Sequence, residues 1–253
     1  MIKSFLFRVL RFVGVLAVIY ICMVFYLALT ERRNAFPRAI THAEANQAIA
    51  GKAKNVSCTL DDGTILGGWI TGSAGAPVLL YYPDAEEDAA QFLAEMGEFS
   101  QARLVSFNYR GSGENKGTPS QETFESDARQ IAECAAQADP SGIAFFAGRG
   151  TGAILAAQQT SVKGQYLFLD PVFSIKDAIA NKYRALYPKF LIRANVSVHK
   201  ERLEEIDSRA IIVYDRAQHE TRTTENAAPL VKAIRIYRKG VPLQDALLPI
   251  LKP

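Results

Sequence analysis

Hydrophobic residues are distributed in two different ways along this chain. Phe12 to Thr30 (FVGVLAVIYICMVFYLALT) carries no charge over 19 residues, about the length of a helix that crosses a hydrocarbon core of roughly 30 Å. From about residue 54 onward, short apolar runs alternate with amphipathic stretches. The first pattern predicts an uncleaved, single-pass signal anchor over residues 1–30, because a cleavable signal has an apolar region of only about 7–15 residues and this run continues directly into ERR. The second predicts a globular domain over residues 55–253. Residues 31–54 read as a linker with an Ala-rich segment suited to a helix.

Within the domain the alternation is regular. NVSCTL, the turn DDG and TILGGWITG form a hairpin signal, since Asp62-Gly63 lies between two strand-like runs. PVLLYYP (77–83), RLVSFNY (103–109), IAFFAG (143–148), QYLFLDP (165–171), AIIVYD (210–215) and IRIYR (234–238) read as strands. Helices are expected near 86–99, from Gln121 to Ala138 with Ser120 as N-cap, over about ten residues up to Ser161, from Ser174, and near 225–233. Apolar strands alternating with helices predict an α/β fold, mostly a parallel sheet with helices on both faces.

Charge narrows the function classes. The chain has a formal net charge of +3, but residues 1–38 hold six basic residues and one acidic, leaving the rest slightly negative. A basic field for nucleic acid is therefore absent from the domain, and no nucleic-acid partner is expected. Lys3, Arg8 and Arg11 precede the apolar run, while Arg32, Arg33 and Arg38 follow it, offset by Glu31. This gives a slight preference for a cytoplasmic N-terminus and an extracytoplasmic domain. Cys22 lies in the apolar run; Cys58 and Cys134 lack metal-ligand spacing and read as buried small hydrophobes. No metal and no cofactor are expected.

Ligands on parallel sheets bind beyond the carboxyl ends of the strands, which directs attention to Asp84, Arg110, Arg149 to Gly152, Asp170 and Asp215 to His219. The corner AGRGTGA permits two readings. Gly148, Gly150 and Ala153 satisfy G-x-G-x-x-[GA] between a strand and a helix, and Asp170 stands 20 residues beyond Gly150, as a ribose-binding acid would. This is the nucleotide-binding reading.

The second reading takes in most of the chain. The order DDGTILGGW, APVLLYY, NYRGSGENKGTPSQETFESDA, FFAGRGTGAILA and DPVFSIKD resembles the α/β-hydrolase superfamily, specifically its membrane-anchored serine hydrolases related to the serine aminopeptidase-like group. The resemblance runs from about Asn55 to Tyr237 and implies an α/β-hydrolase fold behind an N-terminal transmembrane helix. It also implies a nucleophile elbow, G-x-S-x-G, at the corner. The five residues here are Gly148, Arg149, Gly150, Thr151 and Gly152, so Gly150 stands where the serine belongs.

Every other part of the implied machinery departs as well. The segment after the first parallel strand reads Pro83-Asp84, without the His-Gly that supports the oxyanion hole. The triad acid falls near Gln218, and no histidine follows the last strand. His42, His199 and His219 are the only histidines, and His219 alone lies on the expected site side as a candidate base. Thr151 reads as a helix-capping residue. Ser112, Ser120 and Cys134 are weak substitutes for a nucleophile. The acidic run Asp84, Glu86, Glu87 and Asp88 reads as a solvated helix start favoured by the helix dipole. Arg110 and Arg149 are expected to pair with internal acids, with Arg149 also a candidate anion contact.

The resulting expectation is a membrane-anchored hydrolase-like protein without catalysis. It would bind a small molecule or partner protein at the former cleft through Asp84, Arg149, Thr151, Gln218 and His219. The alternatives are an active esterase or peptidase using unconventional residues, or nucleotide binding at the glycine corner. Membrane contact is expected through residues 12–30.

Overall fold

The computed structural model describes residues 2–36, 38–138, 142–160, 164–215 and 230–251. A helix α1 (Ile2–Ala35) leads into a short α2 (Ala43–Ile49) and then an eight-stranded sheet. The strands are β1 (Lys54–Thr59), β2 (Ile65–Thr71), β3 (Val78–Tyr82), β4 (Arg103–Phe107), β5 (Ile143–Arg149), β6 (Gln165–Leu169), β7 (Ala210–Tyr214) and β8 (Ile234–Tyr237). Their spatial order is β1-β2-β4-β3-β5-β6-β7-β8. β1 and β2 form the expected antiparallel hairpin, β2 runs antiparallel to β4, and every other pairing is parallel.

Both faces of the sheet are covered. In β3 every side chain is buried, with Val78, Leu80 and Tyr82 on one face and Leu79 and Tyr81 on the other. The first face carries α4 (Gln121–Ala138), α5 (Gly152–Gln158), α6 (Ile175–Tyr183) and α7 (Lys200–Ile206). The second carries α2, α3 (Ala89–Met96) and the C-terminal α8 (Leu243–Leu247). This accounts for the continuous apolar runs in the sequence, since strands of a doubly covered parallel sheet have no solvated side.

Local signals set the helix ends. Helix α4 has the expected bounds, and the Ser120 hydroxyl accepts from the Thr123 amide at 3.2 Å. Helix α3 is shorter than the 86–99 expectation because Asp88 and Gln91 form a capping box and Gly97 closes it. Helix α5 has seven residues rather than about ten. The helix expected near 225–233 falls mostly outside the described residues, as do Gln218 and His219; Val231 to Ala233 are not helical.

Two expectations are corrected. Cys58 and Cys134 are joined in a disulfide that ties β1 to α4 across 76 residues; no spacing motif marks it, because only the packing of α4 on the sheet brings the two together. The apolar helix also does not stop at Thr30. It continues to Ala35, and the start of the segment read as linker is packed, with Glu31, Ala35 and Phe36 buried. The Glu31 carboxylate accepts from the Tyr187 hydroxyl at 2.5 Å and from the amides of Arg193 and Ala194 at 2.5 and 2.6 Å.

Candidate functional site

The sheet reverses its order at β3: the chain moves from β3 to β4 on one side, then crosses to β5 on the other. The carboxyl ends of β3 and β5 therefore form the switch point at which such sheets bind ligands. Pro83 and Asp84 leave β3 there, and the corner Gly148 to Gly152 leaves β5.

Glycine is required at this corner for two reasons. A Cβ on Gly152 would lie 2.2 Å from the Tyr82 carbonyl oxygen, and one on Gly148 would lie 2.3 Å from the Gly152 carbonyl oxygen. Both neighbours are backbone and cannot move aside. Gly150 instead has φ = +52°, the left-handed region that a side chain enters only at a cost. The turn is pinned by Gly150 N–H donating to Leu169 O and by Gly150 O accepting from Val172 N–H, at 3.0 and 2.9 Å.

The space above Gly150 is taken. A Cβ built there would lie 2.4 to 2.5 Å from all three atoms of the Asp84 carboxyl group. Asp84 Oδ1 accepts from Thr151 N–H at 2.9 Å, from the Thr151 hydroxyl at 2.7 Å and from Ala85 N–H at 2.8 Å. One carboxylate oxygen thus collects three donors, two of them backbone amides from different loops. The Thr151 hydroxyl makes no cap hydrogen bond to α5, so the expected capping role is corrected to a bond with Asp84.

The acidic run is not a solvated helix start. Only Glu86 is exposed; Glu87 and Asp88 are buried and Asp84 is half-buried. Asp88 caps α3 and also accepts from His42 N–H and the Asn46 amide at 2.7 and 3.0 Å. Glu87 accepts from Asp84 N–H at 3.0 Å and the Tyr81 hydroxyl at 2.6 Å, fixing the loop that presents Asp84. Burial pushes the Glu87 carboxyl above its ordinary range, with Arg149 pulling the other way.

Arg149 pairs with Glu87 and with Glu95 of α3, each at 2.5 Å. Burial works against its charge, but Tyr81, Glu87 and Glu95 outweigh this and hold the guanidinium firmly protonated. Glu95 also takes Arg238 at 2.7 Å, and Arg238 pairs with Asp215. A ladder of alternating charge, Asp215, Arg238, Glu95, Arg149, Glu87, therefore runs along the strand ends on the α3 side. Asp170, at φ = +41°, accepts from Asp215 N–H at 3.3 Å.

The chain matches no protein-family model. It is 27% identical over 158 residues to the uncharacterised protein Rv2307c of Mycobacterium tuberculosis, covering 59% of this chain and 56% of that one. It therefore spans little more than half the length of the curated relatives it matches. Among solved structures, an alpha-beta hydrolase from Vibrio vulnificus superposes with a TM-score of 0.63 at 18% identity, covering 84% of each chain. An esterase of Pyrococcus furiosus superposes with a TM-score of 0.54 at 15% identity, covering 79% of this chain and 85% of the other. The chain has the α/β-hydrolase fold.

In the α/β-hydrolase fold the strand-to-helix corner holds the nucleophile, and the oxyanion is bound by the amide of the following residue plus one from the loop after the third strand. The residues at the strand-to-helix corner and in the loop after β3 here are Gly150 and Thr151, and Asp84 and Ala85. The Asp84 carboxylate lies over Gly150 and accepts from the Thr151 and Ala85 amides. A phosphate at the start of α5, as the nucleotide reading requires, would have to displace this carboxylate.

Of the residues singled out from sequence, the structure brings Asp84, Gly150 and Thr151 into one cluster and places Arg149 in the ladder beside it. Gln218 and His219 lie outside the described residues. Arg110 is paired as expected: it grips Asp127 through two bonds of 2.9 Å and Asp62 through one of 2.6 Å. Sequence reasoning missed Glu95 and Arg238. Arg238 directly follows the last strand, where a triad histidine would be sought, and that position was the one available signal.

Proposed function

We propose that this chain is a catalytically inactive, single-pass membrane protein that retains the hydrolase scaffold for binding a small ligand or a partner. The observation that carries this reading is the Asp84 carboxylate. It occupies the volume of a nucleophile side chain and saturates the amides that would stabilise an oxyanion, so neither attack nor charge stabilisation has a place to occur. The residues at Gly150 and near Gln218 point the same way. A fluorophosphonate probe applied to the purified chain should leave it unlabelled; labelling at a single serine would overturn the reading.

The domain is assigned to the extracytoplasmic side. Support comes from the Cys58–Cys134 disulfide, since such bonds persist mainly in oxidising compartments, and from the slight charge preference for a cytoplasmic N-terminus.

A second reading rests on one contact. The Thr151 hydroxyl donates to Asp84 at 2.7 Å, the geometry of a nucleophile held by a carboxylate base. On that reading, ester or peptide turnover would be measurable and would vanish in Thr151→Val, or in His219→Ala if the histidine is the base.

A further inference from the structure

A cavity of about 940 Å³ lies where α1 leaves its apolar stretch, between the end of that helix, α6 and the loops after β3 and β4. Its lining includes four cations, Arg32, Arg33, Arg38 and Lys182, against one carboxylate, Glu86. Arg32 is committed, donating twice to the Pro119 carbonyl at 3.2 and 3.1 Å. The Arg33 and Arg38 side chains form no hydrogen bond or ion pair among the described residues. A cavity with this balance favours an anion.

The same lining includes Leu29 and Ile40, which are 69% and 82% exposed. Leu29 continues the outward face of α1 formed by Phe25 and Tyr26, both 64% exposed. Arg33 stands one helical turn beyond Leu29, about 6 Å along the axis. A chain lying along Phe25 and Leu29 would bring an attached anionic head within reach of Arg33, Arg38 and Lys182.

The domain edge beside this cavity is also suited to lipid. Tyr20, in the middle of the uncharged run, donates to the Ala185 carbonyl at 3.0 Å. The two 3₁₀ turns Arg184–Leu186 and Lys189–Leu191 therefore reach along the helix to a level that its apolar side chains define as lipid. They expose Leu186, Phe190 and Leu191, with Phe190 82% exposed. Exposed apolar tips interleaved with Lys182, Arg184 and Lys189 match a surface that contacts anionic lipid.

We infer that this cavity binds an anionic amphiphile taken from the bilayer, with the charged head held by Arg33, Arg38 and Lys182 and the acyl chain along Phe25 and Leu29. The inference deepens the binding role proposed above and moves it from the filled cleft at Gly150 to the foot of the anchor.

The test uses the full chain in neutral detergent, titrated by calorimetry with phosphatidylglycerol, with phosphatidylcholine of the same acyl chains, and with inorganic phosphate. Phosphatidylglycerol is expected to bind about tenfold or more tightly than phosphatidylcholine, and inorganic phosphate not to compete at equal concentration. Combined Arg33→Glu, Arg38→Glu and Lys182→Glu substitutions should abolish the preference, as a cation near a lipid surface contributes severalfold in affinity. The single Arg38→Glu and Lys182→Glu variants change exposed side chains and carry the same expectation, at smaller size, if the triple variant does not fold. Equal binding of the two lipids, a preference that survives these reversals, or phosphate binding as tightly as the lipid would overturn the proposal. Labelling by fluorophosphonate would refute the inactive-site reading and leave this result untouched.

Discussion

Two glycine-rich loops leave neighbouring parts of the same sheet edge, and they use arginine differently. The loop after β4 carries Arg110, which closes on Asp127 of α4 and Asp62 of the β1–β2 turn. It binds three separate pieces of scaffold into one unit. The corner after β5 carries Arg149, whose partners Glu87 and Glu95 hold the loop that presents Asp84. The first loop ties the architecture together; the second holds the Asp84 carboxylate over the strand-to-helix corner at Gly150. The difference shows that a fold and its chemistry can be maintained by separate sets of contacts.

The comparison can be broken most severely at Arg110. Its side chain and that of Asp127 are 10% and 6% exposed, so Arg110→Ala would strand a buried carboxylate and should cost about 3–5 kcal/mol. Chemical denaturation of the full chain in detergent would measure this. A loss below about 1 kcal/mol would mean that the loop is not a scaffold element.

The corner gives a smaller but more diagnostic effect. Gly150→Ser places a Cβ at positive φ and against the Asp84 carboxyl, and should cost about 2–4 kcal/mol without restoring hydrolysis. Adding Asp84→Ala should recover part of this loss, leaving about 1–2 kcal/mol for the backbone alone. A double-mutant cycle with no coupling would place Asp84 elsewhere than over Gly150. Substantial hydrolysis by Gly150→Ser alone would show that the rest of the machinery is present.

The smallest effect is pH dependence at the first loop. The side-chain hydrogen bond from Arg110 holds the Asp62 carboxyl down at about 2 rather than 3.8. A carboxyl depressed in the folded state adds stability that is complete above its unfolded value and is lost as pH falls through its folded value. The unfolding midpoint should therefore drop between about pH 4 and pH 2, and drop less in Asp62→Asn. An identical acid profile for the variant would remove Asp62 from the scaffold unit.

Elements governed by local pattern were legible in the sequence. The apolar runs located every strand, Ser120 marked the start of α4, and Asp62-Gly63 marked the hairpin. The glycine corner was legible as an elbow because its glycines answer to the local turn and to nearby backbone. What Asp84 does was not legible. An acid after β3 reads as something that would repel an oxyanion, and only the fold, which brings it over a residue 66 positions later, turns it into the occupant of that site. The same limit applies to the disulfide, whose halves belong to an edge strand and a helix, and to Glu31. In the sequence it figures only as a charge offsetting Arg32, Arg33 and Arg38, whereas in the fold its carboxylate is satisfied by amides more than 160 residues away.

That junction at Glu31 also bears on mechanics. A protein joined to its anchor by slack chain can swing out and search a volume above the surface. Here α1 enters the domain core and ends inside it, so helix and domain behave as a strut fixed to a plate. On the membrane-anchored reading proposed above, reach is exchanged for a constant orientation of the sheet relative to the helix axis.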